Sequence, residues 1–379
     1  MDDVEFCRKL PKIELHAHLN GSISTKTMEK LIARVDKATH SRIPEIWQTA
    51  IAKEGSRTLE ECFLIFKAIH ELVSSREAID MVTRDVVSEF ASDGVKYLEL
   101  RTTPRTLNGL SSSGYISTIL KAIDETEREI PSIIVKLLLS IDRTHTLREA
   151  EDTVDLAIHL KKEPNSRIVG IDLSGNPNAG DGRLFLPCLQ RARESGLKIS
   201  LHIAEVPNVE ESLALLKFNP DRLGHGTCLF PERGGTQELV DYMFNKRIPL
   251  EVCLTSNVKC KTVGSYSEHH LKELMEIDHS FALCTDDKGV FSTSLSDEYR
   301  HALEQLGLSR QQLWKASRRS IDSTFASDDT KRHLERIFFN VKRRGREGLR
   351  EGGLQKFDRI RSCTVTGVLN GQSLPAANA

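Results

Sequence analysis

The sequence predicts a (β/α)8 TIM barrel, an α/β fold, with a helical insertion after its first strand. Three observations lead there. Eight short apolar, β-branched runs recur along the 379 residues. Segments of helical pattern separate them, which implies a parallel sheet. The first run lacks the glycine-rich phosphate loop that announces an open doubly wound sheet, the runner-up architecture.

The first run, Ile13–His18, alternates Ile13 and Leu15 with Glu14 and reads as a half-buried strand. Leu19-Asn20-Gly21-Ser22 follows it. The stretch from about 22 to 94 is too long for a simple crossover. Within it Phe63, Phe66, Ile69 and Val73 keep helical spacing, so part of it is an amphipathic helix. In a barrel that insertion sits over the catalytic face, as a lid or as packing. The other strands are expected at Val95–Arg101, Ile133–Ile141, Ile168–Leu173, Leu197–Ile203, Arg222–Gly226, Ile248–Leu254 and Ser280–Cys284. Helices are expected over Glu77–Phe90, Tyr115–Glu129, Leu147–Lys162 and Gly182–Glu194. The barrel domain spans 1–340. Residues 341–379 turn basic and glycine-containing, then small and polar, and read as a poorly ordered extension.

Composition narrows the function. A hydrophobic share of 39% with 28% charged residues describes a soluble globular chain, and a net charge of -1 gives no bulk electrostatic reason for a nucleic-acid or anionic-membrane partner. No apolar run reaches the length of a membrane helix, and Met1–Lys9 has no secretory apolar core. The eight cysteines are scattered without a Cys-x-x-Cys pair and read as reduced thiols. The expected address is the cytoplasm.

Chemistry in such a barrel collects where strands end. His16 and His18, two apart on a strand, point to one face and can converge on one cation. His202 ends the fifth strand, Gly224-His225-Gly226 the sixth, and Thr285-Asp286-Asp287 follows the eighth. Each piece has an ordinary reading: Asp286-Asp287 suits a helix N-cap, and His225 a turn. Their coincidence at separate strand ends points instead to a site. Three histidines and a carboxylate suit zinc. Glu205 joins them only if the chain turns after Ile203, and Pro207 supports a turn there.

The segments Glu14-Leu-His-Ala-His-Leu-Asn-Gly21, Asp172-Leu-Ser-Gly-Asn176, His202-Ile-Ala-Glu205, Arg222-Leu-Gly-His-Gly226 and Cys284-Thr-Asp-Asp287 resemble the signature blocks of the adenosine deaminase family, in the family's order. The resemblance covers about residues 10–340 and implies a (β/α)8 zinc aminohydrolase of purine nucleosides and nucleotides. It implies that His16, His18, His202 and Asp286 bind zinc, that Glu205 donates a proton to the purine ring, and that His225 and Asp287 handle the attacking water. Gly175 would meet the ring through its backbone amide. Ile168–Pro177 has no lysine to bridge two metals, so one zinc per chain is expected.

Departures from a nucleoside deaminase suggest the substrate. Leu-Asp-Gly is common in the family after the second histidine, and by resemblance that aspartate meets the sugar 5′-hydroxyl. Here Asn20 replaces it, and a neutral amide tolerates a phosphate that a carboxylate repels. Arg101-Thr102-Thr103-Pro104-Arg105 offers hydroxyls, amides and guanidinium groups suited to phosphate. His70 on the inserted helix and Lys288 add candidate donors. With Ser140-Ile-Asp142-Arg143, these features are similar to the branch of the family that acts on N6-methyl-AMP. The expected reaction is hydrolysis of N6-methyl-AMP to IMP and methylamine by a monomer. Plain adenosine deamination is the alternative, as is an inactive zinc-binding interaction protein, although Glu205 and His225 are both present.

Overall fold

A computed structural model describes residues 1–34, 59–107 and 109–357. The strands are β1 (Lys12–His18), β2 (Val95–Thr102), β3 (Ile134–Asp142), β4 (Ile168–Ser174), β5 (Lys198–Ile203), β6 (Arg222–His225), β7 (Leu250–Val252) and β8 (Phe281–Leu283). They pair in parallel and in chain order. The His18 amide donates to Asp286 O at 3.0 Å and the Asp286 amide to His16 O at 2.8 Å. These bonds bring the first strand beside the last, so the sheet curls into a (β/α)8 barrel. The open doubly wound sheet is thereby excluded.

Helices cover the outside, and their first turns are stopped by side chains. Ser75 caps Arg76–Ser92, Ser111 caps Ser112–Glu129, and Thr146 with Glu149 forms a reciprocal box on Leu147–Lys161. The helix expected from Gly182 opens as a 3-10 turn, Gly182–Phe185, and becomes α-helical only at Leu186–Glu194, where Pro187 lies in the first turn.

β1 is buried on both faces rather than half-buried as its alternation suggested. Helices cover one face and the barrel interior encloses the other, so a polar residue in the strand faces protein, not water. Glu14 is the case in point. It is fully buried and accepts from the His16 amide at 2.9 Å and the Thr285 hydroxyl at 2.9 Å.

Much of the barrel interior is charged. Arg101 on β2 donates to Asp172 on β4 at 2.9 Å and to Glu251 on β7 at 2.8 Å. Arg222 on β6 bridges Glu251 at 2.6 Å and Glu99 at 2.5 Å. Both guanidinium groups are essentially buried. Such pairs persist only because each charge is matched and hydrogen-bonded.

In the insertion, helices Leu59–Leu72 and Arg76–Ser92 lead into β2. Ile69 and Val73 are buried and Phe66 is half-buried. Residues 35–58 and the Phe63 side chain lie outside the described residues.

The chain divides into a first compact unit, Met1–Glu335, and a second, Arg336–Ala379. Helix Asp328–Phe357 runs through the first part of the extension expected from residue 341. Glycines at 345, 348, 352 and 353 mask its helical pattern in the sequence. Residues 358–379 lie outside the described residues. Among the described residues no helix is long and apolar enough to cross a membrane.

Candidate active site

Four side chains from three strand ends converge at the mouth of the barrel. His18 Nε2 lies 3.1 Å from His202 Nε2 and 3.3 Å from Asp286 Oδ1. His16 Nε2 lies 3.1 Å from the same Asp286 oxygen. One ligand atom from each residue falls within 4.8 Å of all the others. The shorter separations match donors that share one ion at about 2.1 Å each. His16 is fully buried, and the contact of its Nε2 is the Asp286 oxygen, itself one of the four converging donor atoms. A buried ring nitrogen aimed at a cluster of other donor atoms fits a metal ligand better than a structural histidine.

The opposite ring nitrogens are held from below. His16 Nδ1 meets Glu251 Oε2 at 2.7 Å and His202 Nδ1 meets Asp172 Oδ1 at 3.0 Å. A carboxylate at Nδ1 keeps the hydrogen there and leaves the Nε2 lone pair facing the cradle. Arg101 ties the two carboxylates together. Burial alone would raise both carboxyls. His202 and Arg101 instead hold Asp172 well below its ordinary range, and Arg101 with Arg222 does the same for Glu251. Ser256 adds a bond of 2.7 Å to Asp286 Oδ2.

Three strand ends carry a non-glycine residue in the left-handed region: Ala204 at φ 52°, His225 at φ 61° and Asp286 at φ 59°. That conformation is costly and persists where the surroundings enforce it. At Ala204 it supplies the turn after Ile203 and swings Glu205 inward. Glu205 Oε2 then lies 3.7 Å from His225 Nε2, which is 3.9 Å from Asp286 Oδ2. The Glu205 side chain is 19% exposed, and burial pushes its carboxyl up to about 7. Asp287 packs on Gly21, where a Cβ would come within 1.6 Å of Asp287 Oδ1.

These groups open onto a cavity of about 710 Å³. The site residues named from the sequence line it, except His16, which sits beneath, and Lys288, which is turned away to Glu89. On the β2 side, Thr102 Oγ1 lies 2.9 Å from the Tyr115 hydroxyl, which also bonds the Asn20 side chain. Thr103 and Pro104 follow on the rim. Arg105 donates to the His70 carbonyl at 2.9 Å and the Val73 carbonyl at 3.4 Å, fixing the end of the inserted helix to the rim. Asp142 and Gly175 meet on the far side. Gly175, at φ 105°, has no room for a side chain, since a Cβ would lie 2.5 Å from Asp142 Oδ1.

Two candidate phosphate donors are otherwise engaged. Arg101 is fully buried at the cavity floor, where Asp172 and Glu251 hold its guanidinium. Lys288 is buried, bonded to Glu89 and set over the Phe90 ring. Sequence reasoning assigned no role to Glu251, Asp172, Ser256 or Asn257. The signal for the first two was available: a lone acid inside an apolar strand must find a partner.

A model of the adenosine deaminase family matches residues 11–338. An N6-methyl-AMP deaminase of Danio rerio is 49% identical over 340 residues, covering 89% of this chain and 97% of the relative. The crystal structure of an Arabidopsis N6-mAMP deaminase superposes with a TM-score of 0.82 at 42% identity, covering 89% of this chain and 99% of that one. The Arabidopsis protein ADAL complexed with IMP gives a TM-score of 0.81 at 41% identity, over 89% and 98% of the two chains. A family match that runs through every strand of the barrel, at this identity and coverage, leaves one conclusion: the chain is an enzyme, a hydrolase of the adenosine deaminase family.

Proposed function

We propose that this enzyme hydrolyses the N6–C6 bond of a purine nucleoside monophosphate, N6-methyl-AMP, to give IMP and methylamine. The observation that carries the reading is the pairing at the cavity floor: the largely buried Glu205 carboxyl beside a cradle of three histidines and an aspartate. The names of the Danio and Arabidopsis relatives, and the IMP complex of ADAL, support the substrate class.

His16, His18, His202 and Asp286 would hold one zinc ion, which when bound makes water nucleophilic near neutral pH. The ring needs help as well, because C6 of a purine is a poor electrophile. Glu205, its carboxyl raised by burial so that the acid form is available near neutral pH, gives its proton to N1 as water adds to C6. Between them, His225 and Asp287 orient that water and handle its proton on the way to the departing amine. Gly175 offers a backbone amide to the ring, and Asp142 fixes the turn behind it. His18 packs beside the substrate as well as the metal.

The phosphate would lie towards Asn20, Thr102, Thr103, Pro104, Arg105 and His70. Asn20 Oδ1 makes no hydrogen bond as placed. A half turn of the amide lets Oδ1 accept from Tyr115 and presents Nδ2 to a phosphate. We place the enzyme in the cytosol, in keeping with six described cysteines that are all free thiols. It acts on a small molecule, and one chain supplies every group named, which is compatible with action as a monomer. Residues 1–340 constitute the deaminase barrel.

Purified protein assayed against adenosine, AMP and N6-methyl-AMP tests the reading, together with metal analysis. The expected result is one zinc per chain and preference for N6-methyl-AMP. Preference for adenosine would return plain adenosine deamination, and full activity after stringent chelation would remove the zinc.

A further inference from the structure

His225 is connected to a chain of side chains that leads away from the cavity and ends at a donor of fixed polarity. The backbone amide of Leu271 donates to His269 Nδ1 at 3.1 Å. An amide N–H can only donate, so Nδ1 of this ring is an acceptor. Burial holds the His269 imidazole well below its ordinary range, so the ring is neutral and its one hydrogen sits on Nε2. That nitrogen lies 3.0 Å from Asn257 Oδ1 and donates to it. With Oδ1 so taken, the Asn257 amide nitrogen points the other way, 3.2 Å from His225 Nδ1. A second histidine fixes the backbone: His270 Nε2 donates to the His225 carbonyl at 3.0 Å and holds the residue at φ 61°. Asn257, His269 and His270 are all buried.

We propose that Asn257 and His269 are positioning residues that lock His225 in the tautomer with its hydrogen on Nε2, facing the reacting water. This deepens the reading above and rests on it for the chemistry. An imidazole in that form has no lone pair at Nε2. It holds the water by donating to its oxygen and cannot take its proton. The water's proton then goes to a carboxylate at the end of the eighth strand, Asp286 or Asp287, both of which line the cavity. As the oxygen bonds to C6, the O–H bond breaks and the proton moves to that carboxylate, while Glu205 supplies the separate proton at N1. The relay thus leaves His225 only the holding part of the labour that the sequence assigned jointly to His225 and Asp287.

Nitrogen NMR of the imidazoles tests this directly, because a protonated ring nitrogen and one with a free lone pair have well-separated shifts. The His225 signals are assigned by their loss in His225→Gln. In the wild-type protein the hydrogen should be on Nε2. Asn257→Asp puts an acceptor against Nδ1, so the hydrogen should appear there. kcat should then fall on the order of a hundredfold, with KM nearly unchanged. His269→Leu frees the amide to rotate and should lower kcat in the same way. His269→Gln keeps a donor near the Nε2 position and should restore most of it. A wild-type His225 protonated on Nδ1 overturns the proposal. So does an Asn257→Asp protein with unchanged tautomer and unchanged kcat. The wild-type spectrum decides alone if either variant fails to fold. The spectra need no substrate, so a protein inactive on N6-methyl-AMP would count against the substrate reading and leave the tautomer result standing.

Discussion

The two ends of the cavity are built differently. At the floor, three groups of the cradle are fixed from behind by a buried hydrogen-bond partner: Glu251 behind His16, Asp172 behind His202, Ser256 behind Asp286. At the rim, the groups assigned to phosphate are neutral or already engaged. Asn20 and Thr102 share Tyr115, and Arg105 is bonded to two backbone carbonyls of the insertion. The floor stands on strands, the rim on loops and an inserted helix. Bond-breaking chemistry demands fixed lone pairs and fixed protons, and rigid strands with interior charges supply them. Holding a phosphate demands less: enough donors and no opposing charge. Substitutions at the floor should therefore abolish turnover for any substrate, and those at the rim should only sort one substrate from another.

The largest effect is expected at Glu205. Glu205→Gln keeps the shape but has no acidic proton, so kcat should fall by about a thousandfold or more while the protein stays folded and keeps its metal. The same group sets a pH limb. Its carboxyl is raised to about 7, and the protonated form is the useful one. Activity should be full below that value and fall as pH rises through it. A profile flat from pH 6 to about 9, or a Glu205→Gln enzyme with substantial turnover, would mean that another group protonates N1.

Arg101 comes next, and it tests the floor as a structure. Arg101→Met leaves Asp172 and Glu251 buried without their shared cation, which should cost about 3–5 kcal/mol of stability. Metal affinity should fall as well, since both carboxylates set the orientation of a ligating histidine. Calorimetry and metal titration measure the two losses separately. A stability loss with unchanged affinity would show that the histidines are held by packing alone.

All eight strands and the cradle were legible because they rest on local pattern: apolar runs of strand length and polar residues at their ends. The interior was not, because which face of a strand points inward depends on closing the barrel. Arg101 shows the difference. Beside Thr102 and Arg105 in the sequence it looks like part of a phosphate cluster, yet it projects into the barrel to Asp172, 71 residues further along the chain. The Asn257–His269 link was equally hidden, since its meaning depends on a hydrogen bond to a backbone amide. Glu205 was legible only conditionally, through a turn that Pro207 suggested and Ala204 makes.

At the rim, Asn20→Asp should separate substrates. A new carboxylate near a phosphate dianion should lower kcat/KM for N6-methyl-AMP on the order of a hundredfold. Asp can still accept from the Tyr115 hydroxyl, so the pocket keeps its shape. The nucleoside N6-methyladenosine carries no charge there and should lose little. Equal losses for both substrates would remove Asn20 as the discriminator and bring the rim closer in kind to the floor.

The smallest effect is expected at Arg105, and it measures how far the contrast extends. Its guanidinium spends two donor groups on the His70 and Val73 carbonyls and keeps the rest for the cavity it lines. Arg105→Ala removes one charge from a half-exposed position where water screens it, so KM for the nucleotide should rise by about tenfold or less, with kcat unchanged. Arg105→Lys separates charge from anchoring. An ammonium retains the charge but cannot match the planar fork that spans both carbonyls. If the residue serves phosphate, lysine should recover most of the loss. If it serves the insertion, lysine should behave like alanine, and nucleoside turnover should suffer along with nucleotide turnover. That second outcome would make Arg105 a fastener of the inserted helix and leave Asn20 and Thr102 to select the phosphate.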